Sequence, residues 1–285
     1  MYRVKIFNLK AEVSKNSQQL RAQGKSIGLV PTMGALHQGH LALVKRALRQ
    51  NDIVYVSIFV NPTQFNNAAD LKKYPRTLDA DVSKLKQLGK GVLVYAPDAE
   101  DIYSGDIAPE GFDFEGLEHE MEGKHRKGHF DGVGTIVSKL FEIVAPNRAY
   151  FGEKDFQQLA IVKKLVDLKG FEVKIVGCPI YREVSGLALS SRNQRLTKDE
   201  RDRSSFIYKT LKQAKEKFGT KSANTVSEWV QKQFEEHPWL TLEYFEIADV
   251  KTLKPIKRKV KNTKYRAFIA VYANDVRLID NIALN

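Results

Sequence analysis

The sequence predicts an α/β protein, with a mostly parallel sheet covered by helices in residues 1–180 and a smaller α+β domain in residues 181–285. Three observations carry this. Short apolar, β-branched runs alternate with stretches of helical periodicity through the first 180 residues, and such alternation yields parallel strands with helices on both faces. Beyond that point the alternation stops, and two helical stretches precede three strand-like runs. The composition, 42% hydrophobic and 28% charged over 285 residues, is that of a soluble globular chain long enough for two cores.

The elements follow in order. Residues 27–30 ("IGLV") read as a buried strand and residues 53–60 ("IVYVSIFV") as a second. Residues 92–95 ("VLVY"), 148–151 and 171–176 ("FEVKIV") continue the series. Between them, Leu41, Val44, Ala47 and Leu48 fit one helix face, and Asp79 to Leu88 reads as helical. Val133, Ile136, Val137, Leu140, Phe141 and Val144 share a face, as do Leu159, Val162 and Val166 within a helix over 155–169. The stretch "YREVSGLALSSRNQRLTKDER" has no period and reads as a connection. Helices near 200–218 and 223–236 and strands at 242–249, 265–272 and 276–280 complete the second domain.

The totals narrow the setting. One cysteine, Cys178, allows no internal disulfide and no Cys-based zinc site, and it reads as a small buried hydrophobe. The opening "MYRVKIFNLKAEVSKN" lacks the apolar centre of a leader, and no run reaches transmembrane length, so a reducing cytoplasm is expected. The net charge of +12 admits phosphorylated ligands, anionic surfaces or nucleic acid. It is uneven: residues 251–266 hold eight Lys/Arg and no acid, whereas 91–123 hold no Lys or Arg. The basic run suits a solvated loop or a sheet edge protected from pairing.

In a parallel sheet, ligands bind beyond the carboxyl ends of the strands. Three polar loops fall there: "PTMGALHQGH" after the first strand, "VNPTQF" after the second and "FGEKD" after the fourth. His37 and His40 stand three apart at a helix start, where unpaired N–H groups favour an anion. They suit a phosphate site, a simple turn cap, or a metal site for which no third ligand is evident nearby. "LSSRN" offers two hydroxyls and a guanidinium, a set fitted to polyphosphate. In "GEKD", Lys154 near a helix start suits phosphate, though a surface pair with Asp155 explains it as well.

These residues carry a resemblance. "HQGH" resembles the H-x-G-H motif of the nucleotidyltransferase superfamily that includes class I aminoacyl-tRNA synthetases, and "LSSRN" resembles its second, Lys/Ser-rich loop. "SIFVNPTQF", "YPRTLDAD", "GHFDGVGTIVSKLF", "FGEKDFQQL", "LALSSRN" and "RLIDN" are similar, in order and spacing, to the pantoate–β-alanine ligases (pantothenate synthetases), from about residue 25 onward. The resemblance implies a Rossmann-like N-terminal domain, the C-terminal domain as a lid, and a homodimer. It implies ATP-dependent joining of pantoate to β-alanine through a pantoyl adenylate, in coenzyme A biosynthesis, with Mg²⁺ accompanying ATP. The expected partners are these small molecules, with no nucleic acid or membrane among them.

Residue by residue, the resemblance places ATP on Met33, Gly34, Ala35, Leu36, His37, Gln38, Gly39 and His40, with His40 as proton donor and His37 as its companion. Gly152, Glu153, Lys154 and Asp155 form a second ATP segment, and Leu189, Ser190, Ser191 and Arg192 a third. Tyr181 corresponds to a nucleotide contact, expected through its backbone. Gln64 corresponds to a residue holding pantoate and β-alanine, and Gln158 to one holding pantoate; amides donate to carboxylates and accept from hydroxyls. No side chain is implied as a metal ligand. His129 suits either a place near the substrate or structural hydrogen bonding, in a loop where Lys127 replaces a proline common in relatives. His119, His125 and His237 read as surface residues, and Trp229 and Trp239 as packing residues. The rivals are an adenylyl-transferring relative that takes another acid and a basic nucleic-acid binder.

Overall fold

Six parallel strands in the order β1-β4-β3-β2-β5-β6 form the first sheet, and three antiparallel strands, β7-β8-β9, form the second. The structure is a computed structural model and describes residues 4–285; the first three residues of the stretch read for a leader lie outside them. In chain order the elements are β1 (Lys5–Phe7), α1 (Lys10–Ala22), β2 (Ile27–Thr32), α2 (Gln38–Leu48), β3 (Ile53–Ile58), α3 (Ala68–Lys73), α4 (Leu78–Lys86), β4 (Val92–Tyr95) and α5 (Ala99–Tyr103). Then come α6 (Met121–His125), α7 (His129–Val144), β5 (Arg148–Gly152), α8 (Phe156–Lys169) and β6 (Lys174–Cys178). The last are α9 (Lys198–Arg203), α10 (Ser205–Thr220), α11 (Ala223–Glu235), β7 (Leu240–Asp249), β8 (Tyr265–Ala273) and β9 (Val276–Ala283).

The chain divides into two units. The first runs to Glu118 and adds Arg126–Glu153 and Gln158–Pro179; the second takes His119–His125, Lys154–Gln157 and Ile180–Asn285. The early excursions have a chemical reason. Buried Glu122 accepts both guanidinium forks of Arg277 (2.7 Å each) and the Tyr244 hydroxyl (2.8 Å). Gln157 accepts from the Glu122 N–H (3.0 Å) and donates to the Glu120 carbonyl (2.7 Å).

In the first unit, β2 pairs with β3 from Ile27↔Ile53 to Thr32↔Ile58, and Ile27 to Val30 are buried, as expected for strands covered on both faces. Ser26 and Asp52 latch the two strand starts: the Ser26 N–H and hydroxyl donate to the Asp52 carboxylate (2.9 and 2.7 Å), and the Asp52 N–H donates back (3.0 Å). These bonds hold the Asp52 carboxyl down to about 2. Helix α7 is buried over most of its surface, and its Gly132 lies so near the Pro62–Gln64 turn that an added Cβ would stand 2.4 Å from the Thr63 carbonyl oxygen.

The departures from the sequence reading have local causes. Strand β1 and helix α1 escape it because β1 has three residues, one buried, and α1 buries only Val13 and Ser17, too few for a visible stripe. Strand β6 begins three residues later than read; Phe171 and Val173 pack on the core from the loop before it, Phe171 edge-on to Phe141 at 5.5 Å. The basic run leads from β7 to β8 with its lysines exposed, anchored by buried Leu253.

Gly132→Ala should destabilise the protein by about 2 kcal/mol and lower the melting temperature by several degrees, because the clash is with backbone. Gly219→Ala, at an exposed position of α10 with no atom within 4 Å of the added Cβ, should leave stability unchanged or slightly raised. Asp52 titrates from an ordinary value of 3.8 when unfolded to about 2 when folded, so its contribution is complete above the first value and lost as pH falls through the second. Asp52→Asn should therefore flatten the decline in stability between roughly pH 4 and pH 2, measured by thermal melts across that range.

Candidate active site

The strand order reverses between β2 and β5, because the chain runs outward from β2 to β3 and β4 and then returns to place β5 on the other side of β2. At such a point the connections leaving the two strands diverge and leave a crevice at their carboxyl ends. The loop from Met33 to His37 leaves β2 there, and Gly152 and Glu153 lie where the chain leaves β5.

The β2 loop turns through left-handed backbone at Gly34 (φ 81°) and Ala35 (φ 49°). Glycine takes this conformation freely; alanine does so at a cost that its surroundings must offset. The surroundings are built around Asp81, fully buried on α4. Its carboxylate accepts from the Leu36 N–H (2.8 Å) and the Thr77 hydroxyl (3.2 Å). Lys84, 3.6 Å from Asp81, donates to the Leu36 carbonyl (2.7 Å), so one ion pair grips both backbone groups of Leu36. Thr32 closes the start of the loop by donating to the Ser57 carbonyl (2.7 Å) and accepting from the Gly34 N–H (3.2 Å).

His37 is the N-cap of α2. Its Nδ1 accepts from the Gly39 N–H (3.2 Å), while the His37 N–H donates to His40 Nδ1 (3.3 Å), and the rings stack with centroids 4.0 Å apart. Both rings thus use Nδ1 as an acceptor, which assigns the proton of each neutral imidazole to Nε2. Two Nε2–H donors on one turn at a helix N-terminus suit an anion. The cap reading and the phosphate reading are compatible, since different ring nitrogens serve them. Among the described residues no group of three or more His, Cys, Asp or Glu could hold a metal ion.

Gln64 closes the turn after β3 and is buried. Its Nε2 donates to Met33 Sδ (3.0 Å), which joins it to the β2 loop, and its Oε1 accepts from Asn61 Nδ2 (3.2 Å). Asn61 also donates to the Gly132 carbonyl (3.1 Å) and accepts from the Tyr103 hydroxyl (2.5 Å). Burial raises the Tyr103 phenol above its usual value, so it remains a donor. His129 serves Gln64 by structural hydrogen bonding: Arg126 approaches its Nε2 (3.1 Å), leaving Nδ1–H to donate to the Gln64 carbonyl (2.8 Å). Gln158 stands half-buried on the first turn of α8, in the same unit.

The remaining candidates belong to the second unit. Lys154 and Asp155 lie in the Glu153–Asp155 turn, with Lys154 Nζ 3.6 Å from Asp155. Tyr181 exposes its ring while its carbonyl accepts from the Leu189 N–H (3.0 Å). Ser190 caps the Ser191–Arg195 turn by accepting from the Arg192 N–H (3.2 Å), and buried Asn193 donates to the Ala188 carbonyl (3.1 Å). Ser190, Ser191 and Arg192 therefore share one braced turn, and Leu189 leads into it.

Sequence reasoning left Asp81, Asn61 and Tyr103 without roles. Asp81 closes "YPRTLDAD" and Asn61 opens "NPTQF"; a signal was available in each, a polar residue inside an otherwise core-forming neighbourhood. Of the other histidines, His119 and His125 are exposed as read, whereas His237 is half-buried against Phe206 (4.5 Å). Trp229 packs on the second core, but Trp239 is exposed and carries the Arg203 guanidinium over its ring (4.0 Å). Cys178 is buried, and burial pushes its thiol up.

Comparison with known proteins agrees with this fold. A family model described as pantoate-beta-alanine ligase matches residues 5–283. The chain is 61% identical over 279 residues to the pantothenate synthetase of Flavobacterium psychrophilum, covering 98% of this chain and 99% of that protein. It is 54% identical over 282 residues to that of Christiangramia forsetii, covering 99% and 100%. Among solved structures, pantothenate synthetase from Thermus thermophilus superposes with a TM-score of 0.88 at 38% identity, covering 99% of each chain. Pantoate-beta-alanine ligase from Francisella tularensis, complexed with beta-gamma ATP and beta-alanine, superposes with a TM-score of 0.81 at 38% identity, covering 99% of this chain and 98% of that one. The fold, the motifs in their order and these full-length matches establish that the chain belongs to the pantoate–β-alanine ligase family.

Proposed function

We infer that the protein joins pantoate to β-alanine at the expense of ATP, forming pantothenate, AMP and pyrophosphate. The observation that carries the reading, beyond family membership, is the contact between Gln64 and Met33. It puts an amide suited to a carboxylate beside a loop suited to a nucleotide. The Gln64 donor rests on a thioether, a weak acceptor, so exchanging that bond for one to a substrate oxygen costs little.

In the first step the pantoate carboxylate attacks the α-phosphorus and pyrophosphate leaves, giving pantoyl adenylate. His40 and His37 direct Nε2–H donors at phosphate oxygens, and His40 supplies a proton as charge builds on the leaving group. Met33 to His40, Gly152 to Asp155 and Leu189 to Arg192 contact ATP, with Lys154, Ser190, Ser191 and Arg192 at the phosphates and the Tyr181 backbone at the nucleotide. Gln64 and Gln158 hold pantoate, and Gln64 also holds β-alanine. In the second step the β-alanine amine attacks the acyl carbon, loses a proton and expels AMP. The enzyme's contribution is alignment and charge stabilisation, with no covalent link to the protein. Mg²⁺ would accompany ATP and offset phosphate charge, held by the nucleotide and water and not by the protein's N–H donors. The second unit serves as a lid, and the protein works as a cytoplasmic homodimer; the single buried cysteine suits a reducing compartment. Among the described residues no helix is long and apolar enough to cross a membrane.

Pyrophosphate release tests the reading directly. With ATP, Mg²⁺ and pantoate, one enzyme-equivalent should appear; adding β-alanine should start turnover to AMP and pantothenate. Release triggered by a different acid but not by pantoate would reassign the substrate. His40→Ala should lower the adenylation rate by about 10²- to 10⁴-fold with the melting temperature retained. Gln64→Ala should raise the pantoate KM by roughly 5- to 150-fold, the effect of removing one buried hydrogen-bonding partner, and should raise the ATP KM far less.

A further inference from the structure

We propose that Asn281 is a positioning residue for ATP: from β9 it fixes the backbone at Lys154 so that the lysine side chain meets the phosphates. This rests on the reading of Lys154 as a phosphate contact. Asn281 is 1% exposed, within a strand where an apolar residue would be cheaper to bury. Each of its polar groups is engaged. Nδ2 donates to the Lys154 carbonyl (2.8 Å), 127 residues away in sequence; Oδ1 accepts from Arg266; the N–H donates to Asp280 Oδ1 (2.7 Å); and the carbonyl accepts from Arg182 (3.3 Å).

The neighbouring residue braces the other phosphate-type segment of this unit. Asp280 binds the Arg182 guanidinium with both oxygens (2.6 and 2.9 Å), and Arg182 donates to the Gly186 carbonyl (3.0 Å), just before Leu189–Arg192. Arg182 also lies over the Tyr208 ring (3.8 Å). Two adjacent residues of one strand thus tie Lys154 and the Ser190–Arg192 turn to the same sheet. This gives a function to "RLIDN", whose last two residues otherwise have no part in the chemistry.

A double-mutant cycle tests the link, read as KM for ATP and KM for pantoate, with melting temperatures in parallel. Asn281→Asp keeps an acceptor for Arg266 but replaces the donor to the Lys154 carbonyl with an oxygen. It should raise the ATP KM about tenfold while leaving the pantoate KM within about twofold. Asn281→Ala should do the same. In a Lys154→Ala background neither change should raise the ATP KM further, because the side chain being placed is gone. Effects that multiply in the double variant, or a wild-type ATP KM in Asn281→Asp, overturn the proposal. So does failure of both Asn281 variants to fold, which would make the residue a support of the sheet. If Lys154→Ala itself leaves the ATP KM unchanged, the phosphate reading of Lys154 fails and takes the proposal with it. An impaired Lys154→Ala beside normal Asn281 variants sinks the proposal alone.

Discussion

The reversal of strand order between β2 and β5 is the constraint on which the first unit's chemistry depends. A parallel sheet built outward in one direction only would have its next connection cross over each strand end. Because β5 returns to the opposite side of β2, the loop from Met33 to His37 is left standing over an opening. The start of α2 then presents the positive end of its dipole and two imidazoles at that position. Gln64 arrives from the adjacent strand β3, which is why a substrate-type amide meets a nucleotide-type loop without any long excursion of the chain.

A common construction recurs across the molecule. Residues read as ligand contacts are not free loops; polar side chains from elsewhere grip their backbones. Asp81 and Lys84 hold Leu36, His129 holds the Gln64 carbonyl, and Asn281 holds the Lys154 carbonyl. Each grip acts on main-chain atoms, so the segment is fixed without relying on the side chain that is to meet the ligand. Losing one would strand a buried polar group, which costs about 1–3 kcal/mol, so the grips resist loosening. Alignment within a fraction of an ångström is what a reaction driven by proximity requires.

The sequence was most legible where a side-chain period coincided with burial. β4 is read residue for residue, β2 lacks only its last two residues, and the α7 face from Val133 to Val144 is read correctly although the helix begins earlier, at His129, because these apolar runs face a core on all or most sides. α1 was illegible because it buries only Val13 and Ser17, and β6 was misplaced because loop residues Phe171 and Val173 are as apolar as the strand. In the site, His37, His40, Ser190 and Arg192 stood out because their chemistry is local to one turn. Asp81, Asn61 and Asn281 act on backbone groups 45, 71 and 127 residues away, and no local spacing announces such a bond. The quoted motifs contained all three residues without saying what each does.

The pairing of Glu122 with Arg277 has a consequence for how the chain is made. On the ribosome, Glu122 emerges 155 residues before the guanidinium that neutralises it. β2 likewise waits for Asn147, whose side chain takes the Ile27 N–H 120 residues on (2.7 Å), before β5 can join. The parallel sheet can therefore close during synthesis while α6 and the turn at Lys154 remain without their partners. Those two segments acquire their final contacts only when β9 arrives. The nascent chain thus passes through a stage with its first core assembled while the Lys154 carbonyl still waits for the Asn281 side chain, so the turn at Glu153–Asp155 is fixed only once the last strand is in place.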